Sequence, residues 1–254
     1  MNNRYVIANW KMNLSLTESV QLAKKIKLKL NKEIWKRQVV ICPDFLSLNQ
    51  VSLGLKGSKI KLGAQNCFWE EKGSYTGEVS VKRLKDLPTD MIIVGHSERR
   101  NILQEDSVMI NKKIKKILSE KLIPILCIGE TDEIKSKGKT KSFLKKQLKE
   151  SLEGVDFKKN NEIILAYEPI WAIGSGKNMP AEEVKEILVY LKSEFAKLYN
   201  DKVASEKVIY IYGGSVNSGN VKLLSKYPEI EGVLVGGASL KLSSFINICK
   251  SILK

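Results

Sequence analysis

The segment IILAYEP (residues 163–169) joins a short apolar run to a carboxylate and a proline. A continuous apolar run of this length, closed by a turn signal, is typical of a β-strand that is buried on both faces of a parallel sheet. Ile163–Ala166 is therefore predicted as such a strand. Glu168 follows near the point where that strand ends, so its carboxylate belongs to the edge of the sheet.

Seven other segments have the same character, which gives eight candidate strands. They are Tyr5–Ala8, Val39–Cys42, Ile60–Gly63, Met91–Val94, Pro124–Ile128, Val208–Tyr212 and Gly232–Val235. Most of the stretches between them carry apolar residues every three to four positions, which is the period of an amphipathic helix. Examples are Leu16/Val20/Ala23/Ile26, Ile110/Ile114/Ile117/Leu118 and Val184/Ile187/Leu188/Leu191.

Signals at helix ends support this alternation. Ser15 and Glu18 form a capping-box pattern, and Pro180 suits the first turn of a helix. No low-complexity linker or change in composition divides the chain. The sequence therefore predicts the α/β class, with residues 1–254 forming one closed (β/α)8 barrel domain. The alternative is a doubly wound open sheet, which the absence of a GxGxxG motif after the first strand disfavours.

The composition bears on where the protein resides and on whether it binds a metal. No apolar run approaches the roughly 18 to 20 residues that a membrane span needs, and the N-terminal MNNRYVIANWKMN has no signal-peptide core. A cytoplasmic protein without a membrane partner is expected. Four scattered cysteines and the single histidine, His96, make no zinc pattern, so we expect buried free thiols and no metal.

The net charge of +15 raises the possibility of a nucleic-acid partner. The lysines, however, fall in amphipathic segments such as INKKIKKIL (110–118) and SFLKKQLKESLEG (142–154), and aromatic residues are not interleaved with them. Solvated helix faces explain this pattern, so no nucleic-acid partner is expected. A basic protein also suits an anionic substrate.

Reactive side chains and glycine pairs follow several of the strands. Lys11 follows the first strand, His96 the fourth and Glu168 the sixth, while the turns 213–215 and 236–237 follow the last two. Each alone has an ordinary alternative: a surface lysine, a structural histidine, a salt-bridged acid or a simple turn. In a barrel, however, the carboxyl ends of all strands meet at one mouth. The fold therefore predicts one cleft that contains all of them.

Such a cleft fits proton transfer next to a carbonyl. A carboxylate shielded from water can act as a general base, and an imidazole with an ammonium group can stabilise the oxygen atoms of an enediolate. Glycine-rich turns offer backbone N–H groups to a phosphate. Since the substrate's own carbonyl accepts the electrons, no cofactor is required. The sequence predicts the isomerisation of a small sugar phosphate.

Seven motifs carry a resemblance to a known family over essentially the whole chain. They are ANWKMN (8–13), AQN with SYTGEVS (64–66, 74–80), VGHSERR (94–100), LCIGE (126–130), AYEPIWAIGSG (166–176), YGGSV (212–216) and GVLVGGASL (232–240). The chain resembles the triosephosphate isomerase family. The resemblance implies interconversion of D-glyceraldehyde 3-phosphate and dihydroxyacetone phosphate, a reaction of glycolysis and gluconeogenesis, without cofactor or metal.

The resemblance also implies residue roles. Glu168 corresponds to the base, His96 to a neutral electrophile, and Lys11 to the stabilising cation, with Asn9 beside it and Glu98 pairing with it. Further implied roles are a phosphate cradle of Gly174, Ser215, Gly236 and Gly237, and a lid over Pro169–Lys177 that contains Trp171 and is latched by Tyr212 and Ser215.

The family is usually homodimeric, with a loop that enters beside the partner's site. Here that loop is Gly73–Glu78, with Thr76 expected near the neighbour's Asn9 and Lys11. The chain departs from the family pattern at Ser175, at the hinge Asn178-Met179 and in the WEEK stretch (69–72).

Other functions are less consistent with the residues. An aldolase-type or indole-forming barrel would need a Schiff-base lysine or a different acid pair, and the sixth strand offers only Glu168. A catalytically dead barrel would not be expected to retain every reactive residue type.

Overall fold

The computed structural model describes residues 4–33, 38–157, 161–173 and 178–253. Eight parallel strands form a closed barrel in which each strand pairs with the next along the chain and the last pairs with the first. The strands are β1 Tyr5–Asn9, β2 Val39–Cys42, β3 Lys61–Ala64, β4 Thr89–Val94, β5 Ile123–Ile128, β6 Ile163–Tyr167, β7 Val208–Tyr212 and β8 Gly232–Val235. The predicted fold class is confirmed, and all eight strand candidates are present.

Several strands begin or end one or two residues away from the predicted bounds. β4, for example, begins at Thr89 instead of Met91, and β3 begins at Lys61 instead of Ile60. For β4 the reason is that the hydrogen-bonded ladder continues past the apolar run. Leu62 pairs with Thr89, and the Leu62 N–H also donates a 3.1 Å hydrogen bond to the Asp90 carboxylate.

Helices surround the barrel. They are α1 Leu16–Leu30, α2 Phe45–Leu55, α3 Val81–Lys85, α4 Ser97–Ile102, α5 Ser107–Ser119, α6 Asp132–Ser136, α7 Thr140–Ser151, α8 Ala181–Leu198, α9 Asp201–Glu206, α10 Val221–Leu224 and α11 Leu242–Leu253. The predicted capping box of Ser15 and Glu18 is present at the start of α1. Pro180 occupies the N-cap position, one residue before α8 begins.

Two apolar layers explain why the strands read as continuous apolar runs. Alternate strand residues, such as Ile7, Ile93 and Ile164, fill the barrel interior. Their neighbours in sequence, such as Val6 and Leu165, pack outward against the helices. Because both faces of each strand are buried, both sets of positions are mainly apolar.

The cysteine prediction is confirmed: Cys42, Cys67, Cys127 and Cys249 are free and buried. The prediction that the lysines of residues 110–118 lie on a solvated helix face is wrong at one position. Lys113 is only 2% exposed, and its ammonium group forms an ion pair with the Glu105 carboxylate and donates a 2.8 Å hydrogen bond to Asn66 Oδ1. A buried charge persists only with such partners. In the part of the chain that the structure describes, no helix is long and apolar enough to cross a membrane.

Candidate active site

A cavity of about 330 Å³ opens at the carboxyl ends of the strands. That volume lies at the small end of the range for ligand pockets. Its lining includes Asn9, Lys11, His96, Glu168, Ser215, Gly236 and Gly237. The structure therefore brings seven of the eight predicted site residues together; the eighth, Gly174, lies outside the described residues.

Glu168 is held at the mouth of the barrel immediately after β6. Its side chain is only 2% exposed, Oε2 accepts a 3.3 Å hydrogen bond from the Ser97 N–H, and Oε1 lies 3.3 Å from His96 Nε2. Glycines make room for it: a Cβ atom on Gly213 would lie 2.7 Å from Glu168 Cγ, and one on Gly129 would lie 1.7 Å from the Glu168 carbonyl oxygen. This carboxylate is thus shielded from water and oriented by named neighbours.

His96 caps the amino end of α4. Its Nδ1 accepts a 3.3 Å hydrogen bond from the Glu98 N–H. A ring nitrogen that accepts a hydrogen bond carries no proton, so the proton of a neutral imidazole lies on Nε2, which faces Glu168. A neutral imidazole in this arrangement presents its Nε2–H to Glu168 and to the cavity.

Lys11 adopts a positive φ of 53°, which is uncommon for a residue with a side chain. Local hydrogen bonds maintain this conformation: its N–H donates to Asn9 Oδ1 at 3.1 Å, and its carbonyl accepts from Gln65 Nε2 at 2.9 Å. The ammonium group lies 2.6 Å from Glu98 Oε1, so the predicted pairing is present. A Cβ on Gly236 would lie 3.4 Å from Lys11 Cε, which places the lysine beside the turn after β8.

The turns after β7 and β8 line the same cavity. A Cβ on Gly214 would lie 2.3 Å from the Tyr212 hydroxyl, so only glycine fits there, and Asn220 Nδ2 donates a 2.7 Å hydrogen bond to the Ser215 carbonyl. After β8, Gly237–Leu240 forms a 3-10 turn. The first N–H groups of a helical turn have no acceptor within it and can bind an anion.

Two residues near the site were not predicted individually. Glu130 accepts hydrogen bonds from the Tyr167 hydroxyl at 3.1 Å and from Trp171 Nε1 at 2.8 Å, and burial raises the pKa of its carboxyl group, although these bonds lower it. Cys127 lies next to Glu168, and burial raises the pKa of its thiol well above the ordinary value. Both residues belong to the LCIGE motif (126–130), whose position at the carboxyl end of the fifth strand was the available signal.

Residues 174–177 of the predicted lid, among them Ser175, lie outside the described residues. At its start, Ile170–Ala172 forms a 3-10 turn, and the Lys135 ammonium lies 3.3 Å from the centroid of the Trp171 ring. At its end, Asn178 is exposed and accepts a 3.1 Å hydrogen bond from Asn220 Nδ2. Met179, by contrast, is only 8% exposed and packs in the core.

The Met179→Ala variant is expected to keep the chemistry intact and to change mainly the parameters that lid movement limits. The burial of Met179 adds a second effect, because the substitution leaves a cavity that should lower the free energy of unfolding by about 2–5 kcal/mol. Urea denaturation checks this value, with the exposed Asn178→Ala as the matched control. Stability equal to the wild type would contradict the packing of Met179. A loss of proton transfer as large as that of a Glu168 variant would contradict its hinge role.

Comparison with known proteins agrees with this geometry. The family model described as triosephosphate isomerase matches residues 4–252. A triosephosphate isomerase from Dictyoglomus thermophilum is 45% identical over 251 residues, covering 99% of this chain and 100% of the relative. One from Alkaliphilus oremlandii is 43% identical over 248 residues, covering 98% and 99%. The crystal structure of triosephosphate isomerase from Bartonella henselae superposes with a TM-score of 0.87 at 32% identity, covering 99% of this chain and all of that one. The chain belongs to the triosephosphate isomerase family.

Proposed function

We propose that this protein interconverts D-glyceraldehyde 3-phosphate and dihydroxyacetone phosphate, with Glu168 as the base. The observation that carries the proposal is the convergence of Glu168, His96 and Lys11 on one small cavity that the glycine-rich turns after β7 and β8 also line. The three side chains would supply a base, a neutral donor and a cation, and the turns would supply backbone N–H groups.

The proposed reaction moves one proton between neighbouring carbons. Glu168 takes the proton from the carbon beside the carbonyl, and the electron pair of that C–H bond forms the enediolate double bond while the carbonyl pair moves onto oxygen. The Nε2–H of His96 donates to this oxygen, and the same ring then accepts the proton of the adjacent hydroxyl. The Lys11 ammonium stabilises the negative charge. Glu168 returns its proton to the neighbouring carbon, so atoms and charge balance without a cofactor.

The phosphate is assigned to the turns after β7 and β8. Backbone N–H groups of Ser215, Gly236 and Gly237 would bind it, with Gly174 contributing from the lid, and Lys11 would lie between the phosphate and the reacting carbons. Closure of Pro169–Lys177, latched by Tyr212 and Ser215, would exclude water from the enediolate and so suppress elimination of its phosphate.

The direct test is an isomerisation assay of the purified protein with D-glyceraldehyde 3-phosphate and, separately, with D-glyceraldehyde. We expect rapid conversion of the phosphate ester and far slower conversion of the free triose, because the free triose has no phosphate to bind the cradle. Absence of activity toward the phosphate ester in a folded protein would refute the proposal. Equal rates for both compounds would refute the phosphate cradle.

We also propose a homodimer built around the loop Gly73–Glu78. Exposed apolar side chains surround a 370 Å³ cavity that reaches Lys11 and Glu98; among them are Met12, which is 94% exposed, and Ile102, which is 73% exposed. Exposed apolar side chains grouped beside polar ones are typical of a protein–protein contact surface. The stem of the loop is ordered by aromatic contacts of Phe68 with Trp69 and Tyr75, at centroid distances of 4.0 and 4.7 Å. A second copy of this loop would fill the cavity beside Lys11.

The Thr76→Arg variant is expected to shift the protein from dimer to monomer and to lower its isomerase activity. An arginine at the loop tip would carry an unpaired charge into the partner's pocket, at a cost of several kcal/mol. Light scattering coupled to size-exclusion chromatography gives the mass, and Ser205→Arg on the exposed side of α9 is the matched control. An active Thr76→Arg dimer would rule out this interface.

We further propose that the protein works in the cytoplasm, in glycolysis and gluconeogenesis, and that all 254 residues form one domain. The free state of all four cysteines agrees with a reducing compartment.

A further inference from the structure

Arg100 lies on α4, four residues after His96, and its side chain turns back beneath the strand ends. Its Nε donates a 2.8 Å hydrogen bond to the Gly95 carbonyl, and its Nη2 donates a 3.2 Å hydrogen bond to the Cys127 carbonyl. Nη1 lies 3.5 Å from Ser107 Oγ. One guanidinium group therefore joins the end of β4 to the end of β5.

The two carbonyls that Arg100 binds belong to residues that adjoin His96 and Glu168. Gly95 precedes His96 and has a φ of +69°, and a Cβ there would lie 2.8 Å from Arg100 Nη2 and 3.1 Å from the Cys127 carbonyl. Cys127 in turn lies against the Glu168 side chain. Arg100 itself is not among the residues that line the catalytic cavity. Arg100 thus contacts the backbone of Gly95, which adjoins His96, and of Cys127, which adjoins Glu168, but it does not enter the cavity.

The charge of this side chain is permanent. Burial lowers the pKa of the Arg100 guanidinium, while the nearby Cys127 and the carboxylate of Glu168 raise it. The ordinary pKa of an arginine side chain is so high that the guanidinium stays protonated. Its planar fork can bridge two carbonyls in a fixed geometry, whereas a lysine ammonium is a point donor on a flexible stem.

We propose that Arg100 is a positioning residue for the isomerisation: by binding the Gly95 and Cys127 carbonyls it sets the separation of the His96 ring from the Glu168 carboxylate. This inference rests on the proposed function. The competing explanation is that Arg100 only stabilises the fold, as a buried hydrogen-bonded arginine would anywhere in the barrel.

Arg4 provides a matched control for that explanation. Its guanidinium also bridges backbone carbonyls, those of Ser225 at 3.0 Å and Tyr227 at 3.1 Å, but next to β1's amino end. Arg4→Met should therefore cost stability without disturbing the site. Arg100→Met removes the same kind of bridge next to the site.

Steady-state kinetics separate the two explanations. Arg100→Met is expected to lower kcat by about 100-fold, because a small misplacement of reacting groups has that effect. KM should stay within about threefold, because the phosphate cradle is untouched. Arg100→Lys should recover part of kcat, and Arg4→Met should leave kcat and KM unchanged. An Arg100→Met enzyme with wild-type kcat would overturn the inference.

A second readout does not depend on activity. His96 is the only histidine in the chain, so ¹⁵N-histidine labelling gives ring signals from this residue alone. The inference expects these signals to shift in Arg100→Lys and to stay in place in Arg4→Met. If Arg100→Met fails to fold, Arg100→Lys decides, and unchanged His96 signals in that variant would overturn the inference while leaving the proposed function intact. A folded wild type without isomerase activity would instead overturn the proposed function.

Discussion

Glu168→Asp is expected to lower kcat by about 100-fold or more while the charge and the fold remain. Aspartate is one methylene shorter, so its carboxylate withdraws from the cavity and from both of its present neighbours. Those are the Ser97 N–H and His96 Nε2, each 3.3 Å from a Glu168 oxygen. KM should change little, because phosphate binding is assigned to the turns after β7 and β8. Steady-state kinetics in both directions give the two parameters.

The control for this variant is Glu206→Asp, the same change at an exposed position at the end of α9. Thermal denaturation of both variants shows whether the fold is retained. A Glu168→Asp enzyme that retained wild-type kcat would show that the base is another residue.

Lys11→Met should lower activity about as much as Glu168→Asp does, but it should raise KM as well as lower kcat. It removes the ammonium group from the cavity and leaves Glu98, now paired with it at 2.6 Å, as an unpaired carboxylate close to the site of an anionic substrate. Loss of one stabilising donor lowers kcat by about 100- to 1,000-fold in comparable sites. Added repulsion of the phosphate should raise KM as well, so kcat/KM falls further than kcat.

Lys137→Met tests whether losing any paired lysine has this effect. Lys137 also pairs with a glutamate, Glu133, at 2.5 Å, but on an exposed helix end. An exposed pair contributes little to stability, so this control should behave like the wild type. A Lys11→Met enzyme within tenfold of the wild-type kcat/KM would contradict the assigned role.

The sequence predicts the barrel well because the barrel buries both faces of every strand. That burial produces the apolar runs, and parallel topology then places Lys11, His96 and Glu168 at one mouth. The position of a residue at the end of a strand was thus sufficient to predict which side chains line the cavity.

The supporting residues could not be found in the same way. Arg99 and Arg100 are adjacent arginines in one short helix, and no local pattern shows that Arg100 binds the Gly95 and Cys127 carbonyls. The packing of Glu130 against Trp171 likewise depends on segments far apart in sequence. Lys113 is different: it lies three residues after Ile110 and four before Ile117, on the apolar stripe of α5. The helical period alone indicated its burial, and its charge obscured that signal.

Running the isomerisation in D₂O tests whether Glu168 carries the proton between the two carbons. A proton held on a carboxyl group can exchange with solvent before it returns to carbon. We therefore expect wild-type enzyme acting on D-glyceraldehyde 3-phosphate to yield dihydroxyacetone phosphate with carbon-bound deuterium in a share of the product, as measured by ¹H NMR. Rapid product formation without any carbon-bound deuterium would indicate direct hydrogen migration between the carbons and would exclude proton transfer through Glu168.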